Sequence, residues 1–578
     1  MARTHLMCAT VMDTLGPEIL VINRWVSSSV FCSLRLSSFV VPLSSARRRG
    51  KNALTPPSPS AAANPHKPNE NKKRNHSPDA PILIEAGQTV VLTTDPTQRA
   101  SSACLPISYP SLAGTGLEPG RAVFVGQYLF TGSETTSAYL TVQAVDEAVG
   151  SVSCVAANTC ALEGVQLTVH VGNMRNTAPI LAARDVDAIR GWAGPNAVDF
   201  LAVSYCRSAA DVAAARAVLA ECGSPGVRVI AKIENKEGLA RYREIAAAAD
   251  GVIFSRGSMG NCLDPEKMFL AQKMLLSACN AAGKPVYVTR VVDTMTEAPR
   301  PTRAEATDVA NAVLDGADGI VLGSETFRGK FPVQAVETVG AICRQAERSF
   351  DSTAYYNRVM ETVGAHTLHP TVFDKTEALA TAAVRASAKV GASLIVAFTV
   401  TGRTAALIAK YRPATPVLTV CTLRHAPSQS PGPGLAVVPL LGANGLSWAY
   451  TAEGSARQCL ALRGALPVCV DGSPSAPARD APLGGDEDDV LRWALAHAAS
   501  VGLVKAGDRV VVSQCPRVNN PNFAGSGMAE AGTVKMLRVT DDALAGGGAA
   551  GGMEVGGASV RRVSSRLIGS VEALQGMA

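Results

Sequence analysis

Strand-like and helix-like patterns alternate along the middle of the chain. Between about residues 178 and 348, five short apolar runs are each followed by a stretch with helical periodicity; the runs are VDFLAVSY, VRVIAKIE, GVIFSRG, PVYVTRV and GIVLGSE. Five β-then-α units in a row predict a parallel sheet, and polar residues at the strand ends favour a (β/α)8 barrel. Because five units do not close eight strands, we expect the remaining strands to lie elsewhere or to be absent.

The flanking regions follow other patterns. From residue 81 to about 175, short β-rich runs such as AVFVGQYLF and VQLTVHV are separated by Gly, Pro, Asp and Asn, which predicts a small domain of antiparallel strands. From 366 to 540, the helical stretch EALATAAVRASAKVG and the strand SLIVAFTV predict a second α/β domain. Residues 25–80 are rich in Ser, Pro, Asn and basic residues and 541–578 in Gly and Ala, so we expect both to be disordered.

Composition narrows the class of protein. Apolar residues make up 47% of the chain, and no stretch approaches the roughly 20 uninterrupted apolar residues of a membrane span. The formal net charge is +6, with the basic surplus mostly in the runs 47–49 and 72–74. Their setting indicates a solvated segment, with a nuclear signal or nucleic-acid patch as the alternative. The 14 cysteines include no CxxC pair, so we expect reduced thiols rather than a metal or disulfide framework.

Candidate chemistry lies at the predicted strand ends. In VRVIAKIE, Lys232 and Glu234 are two residues apart and therefore on the same face, at the carboxyl end of the strand. In a barrel, that end is the functional rim. Arg256-Gly257-Ser258 and Thr289-Arg290 follow later strands at the same rim. A Lys-x-Glu pair is common on edge strands, and its position beside these other polar turns is what makes it a candidate site.

Longer runs carry a family resemblance. AKIENKEG, SRGSMG, FLAQKMLLSACNAAGKPVYVT and PRPTRAEATDVANAVLDGADGIVLGSETFRGKFP resemble consecutive stretches of pyruvate kinase. TGRTAALIAKYRP and GDRVVV resemble that family's C-terminal domain, and FVGQYLFTGSETT resembles its lid. The resemblance extends over roughly residues 81–540. It implies a barrel, a β-rich lid inserted after barrel strand 3, and a C-terminal regulatory domain.

The resemblance assigns the domains. MDTLGPEIL resembles the family's strand-3 motif, so residues 1–24 are expected to be a remnant of barrel strand 3, with a transit peptide as the alternative. Residues 25–80 form the insert, 81–175 the lid, and 366–540 the C-terminal domain, while 541–578 is the tail. Barrel strands 4–8 occupy residues 176–365. The fold class is thus α/β, with a TIM-type barrel that we expect to lack its first two strands, through truncation or an errant start site.

The resemblance also implies an activity. The family transfers a phosphoryl group from phosphoenolpyruvate to ADP, giving pyruvate and ATP, and uses Mg2+ and K+. By this likeness Lys232 is the catalytic lysine at the phosphoryl bridge, Glu234 is a Mg2+ ligand, and Thr289 is the catalytic residue for proton delivery and substrate contact. The turn formed by Arg256, Gly257 and Ser258 is expected to bind the substrate.

Two further sites are implied by the same likeness. Asp13 and Thr14 match ligands of the monovalent cation. The loop of Thr399, Thr401, Gly402, Arg403 and Thr404 matches a turn that binds a sugar-phosphate activator in some members. Helix capping by Thr401 or Thr404 is the alternative for this loop.

The chain departs from the common family pattern at several positions. Ser258 stands where most members have the aspartate that is the second Mg2+ ligand. Leu15 and Leu20 replace a lysine and an arginine of the strand-3 motif. The lid's usual basic pair has no clear counterpart around Gln166-Leu167, and the Ser-Gly-Glu-Thr turn reads Gly323-Ser324-Glu325-Thr326. The cytosolic plant-type branch of the family has similar departures, and this chain resembles that branch.

Three hypotheses for function follow. The first is a pyruvate kinase that ends glycolysis. The second is a catalytically impaired homologue that acts as a regulatory or hetero-oligomer subunit, and the third is another carboxylate-handling barrel enzyme. By family analogy we expect a homo- or hetero-tetramer without nucleic-acid or membrane partners. We expect it in the cytoplasm, with the plastid as the alternative.

Overall fold

A computed structural model of the chain describes its regular elements. The described residues are 9–14, 19–20, 39–42, 81–109, 115, 117–126, 136–162, 167–171, 178–193, 196, 198–260, 262–327, 329–365, 374–422, 437–438, 448–449, 452–470, 487–514 and 532–541. The predictions made for Leu15, for Gln166, for residues 542–578 and for most of residues 25–80 lie outside them.

The strands are β1 Val11–Asp13, β2 Ile19–Leu20, β3 Phe39–Pro42, β4 Ile82–Ile84, β5 Thr89–Thr93, β6 Cys104–Pro106, β7 Ala122–Gly126, β8 Ser137–Asp146, β9 Ser151–Ala156, β10 Cys160–Leu162, β11 Thr168–Val171, β12 Phe200–Val203, β13 Arg228–Ile233, β14 Gly251–Phe254, β15 Val286–Thr289, β16 Gly319–Leu322, β17 Leu394–Thr399, β18 Val417–Thr422, β19 Val437–Val438, β20 Trp448–Ala449, β21 Ala465–Val470, β22 Arg509–Gln514 and β23 Thr533–Arg538. The α-helices are α1 Ala183–Ala188, α2 Ala209–Glu221, α3 Lys236–Ala240, α4 Tyr242–Ala248, α5 Arg256–Gly260, α6 Met268–Ala282, α7 Arg303–Leu314, α8 Ser324–Phe327, α9 Pro332–Arg348, α10 Ser352–Ala365, α11 Lys375–Val390, α12 Arg403–Lys410, α13 Ala452–Cys459 and α14 Glu487–Ser500. A π-helical turn spans Ile189–Ala193, and 3-10 turns span Pro265–Lys267 and Asp293–Thr296.

The chain divides into two compact units. The first comprises residues 1–16, 35–47 and 180–578, and the second comprises residues 17–34 and 48–179. The backbone therefore passes from the first unit to the second and back twice.

A mostly parallel sheet is the centre of the first unit. Its strand order is β1-β12-β13-β14-β15-β16-β3. The first six strands are parallel, and the five repeated βα units supply β12 to β16, as the sequence predicts. β1 pairs with β12 so that Asp13 lies beside Ala202.

One strand departs from expectation. β3 lies within residues 25–80, which we expected to be disordered, and pairs antiparallel with β16. The expectation therefore fails for these four residues. The reason is local, because Phe39, Val40 and Val41 form a short apolar, β-branched run that can satisfy the open backbone groups along β16.

The second unit is built from antiparallel strands. Its larger sheet has the order β2-β11-β7-β8-β9-β5-β6, and only the β5–β6 pair is parallel. β4 and β10 form a second, two-stranded sheet. Alternating buried positions along these strands form a common core that includes Ile84, Leu92, Leu105, Leu140 and Leu162. The predicted antiparallel β-rich region is present in this unit.

Residues 374–541 of the first unit contain a second α/β layer. The sheet order is β21-β18-β17-β22-β23, with all pairs parallel except β22–β23. Valine and leucine side chains of β17, β18 and β22 are buried against α14. The predicted α/β region is therefore confirmed here.

Local sequence signals explain where the helices begin and end. α7 begins with a capping box, in which Thr302 Oγ1 accepts from the Glu305 amide at 3.2 Å and the Glu305 carboxylate accepts from the Thr302 amide at 2.8 Å. α6 ends at Gly283, whose φ of +67° is a left-handed conformation that favours glycine. The helical stretch that follows β13 is split into α3 and α4 at Arg241, which has φ −106° and ψ 17°.

Buried charges join the seven-stranded, mostly parallel sheet of the first unit, here called the barrel sheet, to the second α/β layer. The Arg412 guanidinium donates to both carboxylate oxygens of Asp318 at 2.8 and 2.7 Å, and the two side chains are only 4% and 2% exposed. Arg412 also donates to Asn280 Oδ1 at 2.9 Å and to the Gly316 carbonyl at 2.8 Å. Asp318 directly precedes β16. The contact is therefore at the amino-terminal ends of the barrel strands.

Further contacts follow the same edge of the barrel sheet. Arg457 donates to Asp199 at 2.9 Å, just before β12, and the Tyr287 hydroxyl of β15 donates to the Ala461 carbonyl at 2.6 Å. Arg463 lies over the Phe350 ring and 3.4 Å from the Glu347 carboxylate. The second α/β layer thus covers the amino-terminal edge and leaves the carboxyl ends of the strands for other use.

The Asp318–Arg412 pair generates a stability prediction. Replacing Asp318 with Ala leaves a guanidinium buried without its counter-charge, so we expect the free energy of unfolding to fall by about 3–5 kcal/mol. Asp374→Ala is the control, because Asp374 pairs with Arg403 at an exposed site and should change stability by less than about 1 kcal/mol. Urea unfolding followed by circular dichroism measures both. Equal, small losses in the two variants would contradict the buried pair.

Glu347 generates a pH prediction. Burial outweighs the attraction of Arg463 and raises the pKa of Glu347 to about 7, from an ordinary 4.5. The folded chain therefore keeps a proton that the unfolded chain loses between those two values, and its stability falls as pH rises through this window. At ~1.4 kcal/mol per pH unit, the full effect is roughly 3 kcal/mol.

Glu347→Gln removes this titration. We expect the variant to gain stability relative to wild type as pH rises from 4.5 to 7 and to keep a constant advantage above 7. Glu221→Gln, at an exposed ion pair with Arg190, is the control and should show no such gain. Parallel stability–pH curves for wild type and Glu347→Gln would overturn the assignment.

Candidate active site

Lys232 and Glu234 lie at the carboxyl end of β13. Lys232 Nζ is 3.6 Å from Glu234 Oε1, and both side chains are largely buried. The spacing of two residues along a strand places both on one face, as the sequence predicts. An ammonium and a carboxylate thus meet at the rim of the sheet.

Asp13 reaches the same ammonium from β1. Lys232 Nζ donates to Asp13 Oδ1 and Oδ2, each at 3.0 Å. β12 separates β1 from β13, so the two side chains meet over the end of the intervening strand. Their side chains are 14% and 17% exposed, which places the pair where screening by water is weak.

Ser204, which directly follows β12, fills the space between these strands. Its Oγ accepts from Lys232 Nζ at 3.0 Å and donates to the Thr14 carbonyl at 2.7 Å, while its amide donates to Thr14 Oγ1 at 3.0 Å. Thr14 and Ser204 are both buried. The sequence analysis did not select Ser204, although it follows a strand in the same way as the residues that were selected.

Glu234 is fixed by its neighbours. Its Oε2 accepts from the Tyr205 amide at 2.8 Å, and its Oε1 accepts from the Ser258 hydroxyl at 3.3 Å. Tyr205 has φ +56°, a left-handed conformation that is uncommon for a residue other than glycine. That conformation aims the amide at the carboxylate, and sequence reasoning had no signal for it.

Ser258 follows the next strand, β14, and Thr289 ends the strand after that, β15. Arg256, Gly257 and Ser258 are the first residues of the short helix α5, one residue after β14. Thr289 is the last residue of β15, and its Oγ1 accepts from the Arg256 amide at 3.2 Å. Asp13, Lys232, Glu234 and Ser258 are therefore linked by hydrogen bonds and by the Lys232–Glu234 ion pair, and Thr289 is bound to the start of α5.

Two further acidic side chains, Asp293 and Glu325, follow β15 and β16 respectively. Arg290, with φ +60°, pairs with Asp293 at 3.0 Å, and the Glu325 carboxylate accepts from the Gly323 amide at 2.7 Å. Burial raises the pKa of both Asp293 and Glu325 above the ordinary range. Glu325 belongs to the Gly323-Ser324-Glu325-Thr326 turn noted in the sequence.

The loop expected to bind an effector phosphate joins β17 to α12. Gly402 has φ +81°, its amide donates to Thr399 Oγ1 at 2.9 Å, and an added Cβ would lie 3.1 Å from the Arg228 guanidinium. Arg228 donates to the Thr401 carbonyl, and Arg403 pairs with Asp374. α12 starts from Gly402 without a side-chain cap, so capping by Thr401 or Thr404 is not observed.

The rim offers oxygen donors to cations. In the part of the chain that the structure describes, no group of three or more His, Cys, Asp or Glu side chains is placed to hold a metal ion. Mg2+, however, is commonly bound by one or two carboxylates completed by water and substrate phosphate. The carboxylate of Glu234 with the neighbouring Ser258 hydroxyl fits such a partial set, and the oxygens of Asp13 and Thr14 suit a hard monovalent cation.

Most of the chain matches sequence models of one protein family. A sequence model of the pyruvate kinase barrel domain matches residues 62–336, and a model of the pyruvate kinase alpha/beta domain matches residues 377–539. "Pyruvate kinase 2, cytosolic" of Oryza sativa subsp. indica is 46% identical over 512 residues, which are 88% of this chain and 82% of the relative. "Pyruvate kinase, cytosolic isozyme" of Glycine max is 36% identical, over 75% of this chain and 77% of the relative.

The fold agrees with a solved structure. Cryptosporidium parvum pyruvate kinase in complex with ADP superposes with a TM-score of 0.65 and 26% identity, over 93% of this chain and 85% of that one. These matches confirm the predicted α/β fold class, with its barrel and its C-terminal α/β domain. No helix among the described residues is both long enough and apolar enough to cross a membrane. By sequence and by fold, this chain belongs to the pyruvate kinase family.

Proposed function

We propose that this chain is a glycolytic pyruvate kinase, which transfers the phosphoryl group of phosphoenolpyruvate to ADP. The observation that carries the proposal is the position of the Lys232 ammonium, held between Asp13 and Glu234 at the strand ends. The names of the relatives support the same activity. The names of the relatives give no support to the alternative hypothesis of a catalytically impaired subunit.

The proposed reaction develops negative charge on the transferring phosphoryl group and on the enolate oxygen, close to Lys232. The bond between phosphorus and the enol oxygen breaks as a β-phosphate oxygen of ADP bonds to phosphorus, and the enolate then takes a proton at its methylene carbon. Most of the catalysis in such a transfer comes from positioning and from stabilising the charge that develops. Lys232 offers its ammonium to the transferring phosphoryl group and to the enolate oxygen.

The other rim residues bind and orient. Glu234, with Ser258 beside it, is proposed to hold Mg2+, which when bound would neutralise phosphate charge. Asp13 and Thr14 are proposed to hold K+. Gly257 and Ser258 begin a helix and are proposed to contact the substrate carboxylate. Thr289 accepts from the Arg256 amide through its oxygen, and so has its proton to share with substrate.

The assembly, the effector and the location are proposed on separate grounds. α6 exposes Phe269, Leu270 and Met274, which is consistent with burial against another subunit in a homo- or hetero-tetramer. The loop of residues 399–404 is proposed to take a phosphate-bearing effector. The relatives named cytosolic support a cytoplasmic location rather than the plastid.

Replacing Lys232 tests the function. The wild-type chain should form pyruvate and ATP from phosphoenolpyruvate and ADP with Mg2+ and K+, measured by 31P NMR and a coupled pyruvate assay. Lys232→Met removes the ammonium and should lower kcat by at least roughly 100- to 1000-fold. Lys267→Met, at an exposed pair with Asp264, should retain wild-type turnover. A wild-type chain without phosphoryl transfer would refute the proposal, as would full activity in Lys232→Met.

Ser258→Asp tests the cation site without measuring activity. A carboxylate here would lie beside that of Glu234, since the Ser258 hydroxyl is 3.3 Å from it. We expect the variant to be less stable than wild type without Mg2+, and to gain more in melting temperature when Mg2+ is added. A tenfold tighter site is worth about 1.4 kcal/mol at saturating Mg2+.

Ser258→Asn is the matched control for this experiment, because it adds volume and polarity without charge. Its Mg2+-dependent gain should equal that of wild type. If the Asp and Asn variants respond alike to Mg2+, Ser258 does not face the cation and the proposed site is wrong.

A further inference from the structure

We propose that Arg256 and Asp308 form a positioning pair that orients Thr289 for the proton-transfer half of the reaction. Asp308 lies in α7, outside the strand ends and turns that carry the rim residues named above. The inference rests on the proposed function and extends it to residues that do not touch the substrate.

Every N–H group of the Arg256 guanidinium has an acceptor within the protein. The two terminal nitrogens donate to the two carboxylate oxygens of Asp308 at 2.8 and 2.6 Å, as a two-pronged ion pair. The remaining donors bind the Thr289 carbonyl at 2.9 Å, the Arg290 carbonyl at 2.5 Å and Gln272 Oε1 at 3.4 Å. Since a guanidinium has five N–H donors, all five are accounted for.

This geometry changes the role expected for Arg256. The sequence resemblance placed it among the substrate-binding residues, but a side chain whose donors are all bound inside the protein has none for the substrate. It instead binds the carbonyl oxygens of two consecutive residues, Thr289 and Arg290. Arg256 is therefore a positioning residue.

Thr289 is held from two directions by this one residue. The Arg256 amide donates to its Oγ1 at 3.2 Å, and the Arg256 side chain donates to its carbonyl. The next residue, Arg290, has φ +60°, a costly conformation for a residue with a side chain. The Arg256 contact to the Arg290 carbonyl compensates for that strain and fixes where the Thr289 hydroxyl points.

Asp308 is the part of this arrangement that can be changed with least damage. Its side chain is 36% exposed, against 13% for Arg256. The helix that bears it is anchored separately, by the Thr302–Glu305 capping box and by Glu305 accepting from the Thr294 amide at 2.9 Å. Asp308→Asn therefore weakens the hold on Arg256 without leaving a buried cavity.

Proton transfer can be followed apart from phosphoryl transfer. Run in reverse, it removes a proton from the methyl carbon of pyruvate to give the enolate, and the return step in D2O delivers a deuteron to that carbon. Loss of the methyl signal in 1H NMR, with Mg2+, K+ and ATP present, measures this exchange.

The experiment is a double-mutant cycle of Asp308→Asn and Thr289→Val in the full chain. We expect Asp308→Asn to slow methyl exchange roughly 10- to 100-fold, the range for loss of a residue that orients a site group, with KM for ADP and melting temperature near wild type. In the Thr289→Val background the same change should have no further effect. Lys273→Ala, which breaks the α6 contact to Asp315 but none to Arg256, should match wild type.

Additive effects of the two substitutions, or wild-type exchange in Asp308→Asn, would overturn the inference. Amide hydrogen exchange gives a second test that needs no turnover. Asp308→Asn should speed exchange of the Arg256 amide by about tenfold or more, and Lys273→Ala should not; unchanged protection would also overturn the inference. A wild-type chain that makes no pyruvate would instead count against the proposed function alone.

Discussion

The carboxylate of Asp13 and the ammonium of Lys232 connect two parts of the chain that are more than two hundred residues apart. Asp13 ends β1 and Lys232 lies in β13, and only the pairing of both strands with β12 brings their side chains together. The hydroxyl of Ser204, directly after β12, contacts both partners: it accepts from Lys232 Nζ at 3.0 Å and donates to Asp13 Oδ1 at 3.4 Å. The strand order therefore determines the composition of the site, and a residue near the amino terminus becomes part of it.

The two edges of the barrel sheet have different tasks. At the amino-terminal edge, Asp318, Arg412 and their neighbours bury charges in pairs, a costly arrangement that only holds when every partner is present. At the carboxyl edge, the charges of Asp13 and Lys232 stay partly exposed, at 17% and 14%, where we propose that a cation and a phosphate bind. The length of one strand thus separates the structural contacts from the candidate active site. Within β13, Arg228 contacts the second α/β layer through the Thr401 carbonyl, and Lys232 belongs to the candidate site.

The sequence predicted the elements better than the contacts. Short continuous apolar runs were enough to locate β12 to β16, because these strands are almost entirely buried. Helical periodicity located the helices between them. The rule that polar strand ends meet at one rim also located Lys232, Glu234 and Thr289. Ser204 satisfied the same rule and was overlooked.

Other features had no pattern to reveal them. β3 is too short to stand out from its Ser- and Arg-rich surroundings. The left-handed turn at Tyr205 is a backbone property that its residue type disfavours. Asp308 reads as one more polar residue on a helix, and Arg412 and Asp318 read as surface charges. Each acquires its role only when distant segments are packed together.

Asp13 and Lys232 form one charged cluster at the rim, on which the rest of the site depends. Unfolding free energies of wild type, Asp13→Asn, Lys232→Met and the double variant measure the coupling between them. We predict a coupling energy above about 1 kcal/mol, because the pair is largely shielded from water. Effects that add to within about 0.5 kcal/mol would show that the two side chains do not interact, and would contradict the site as described.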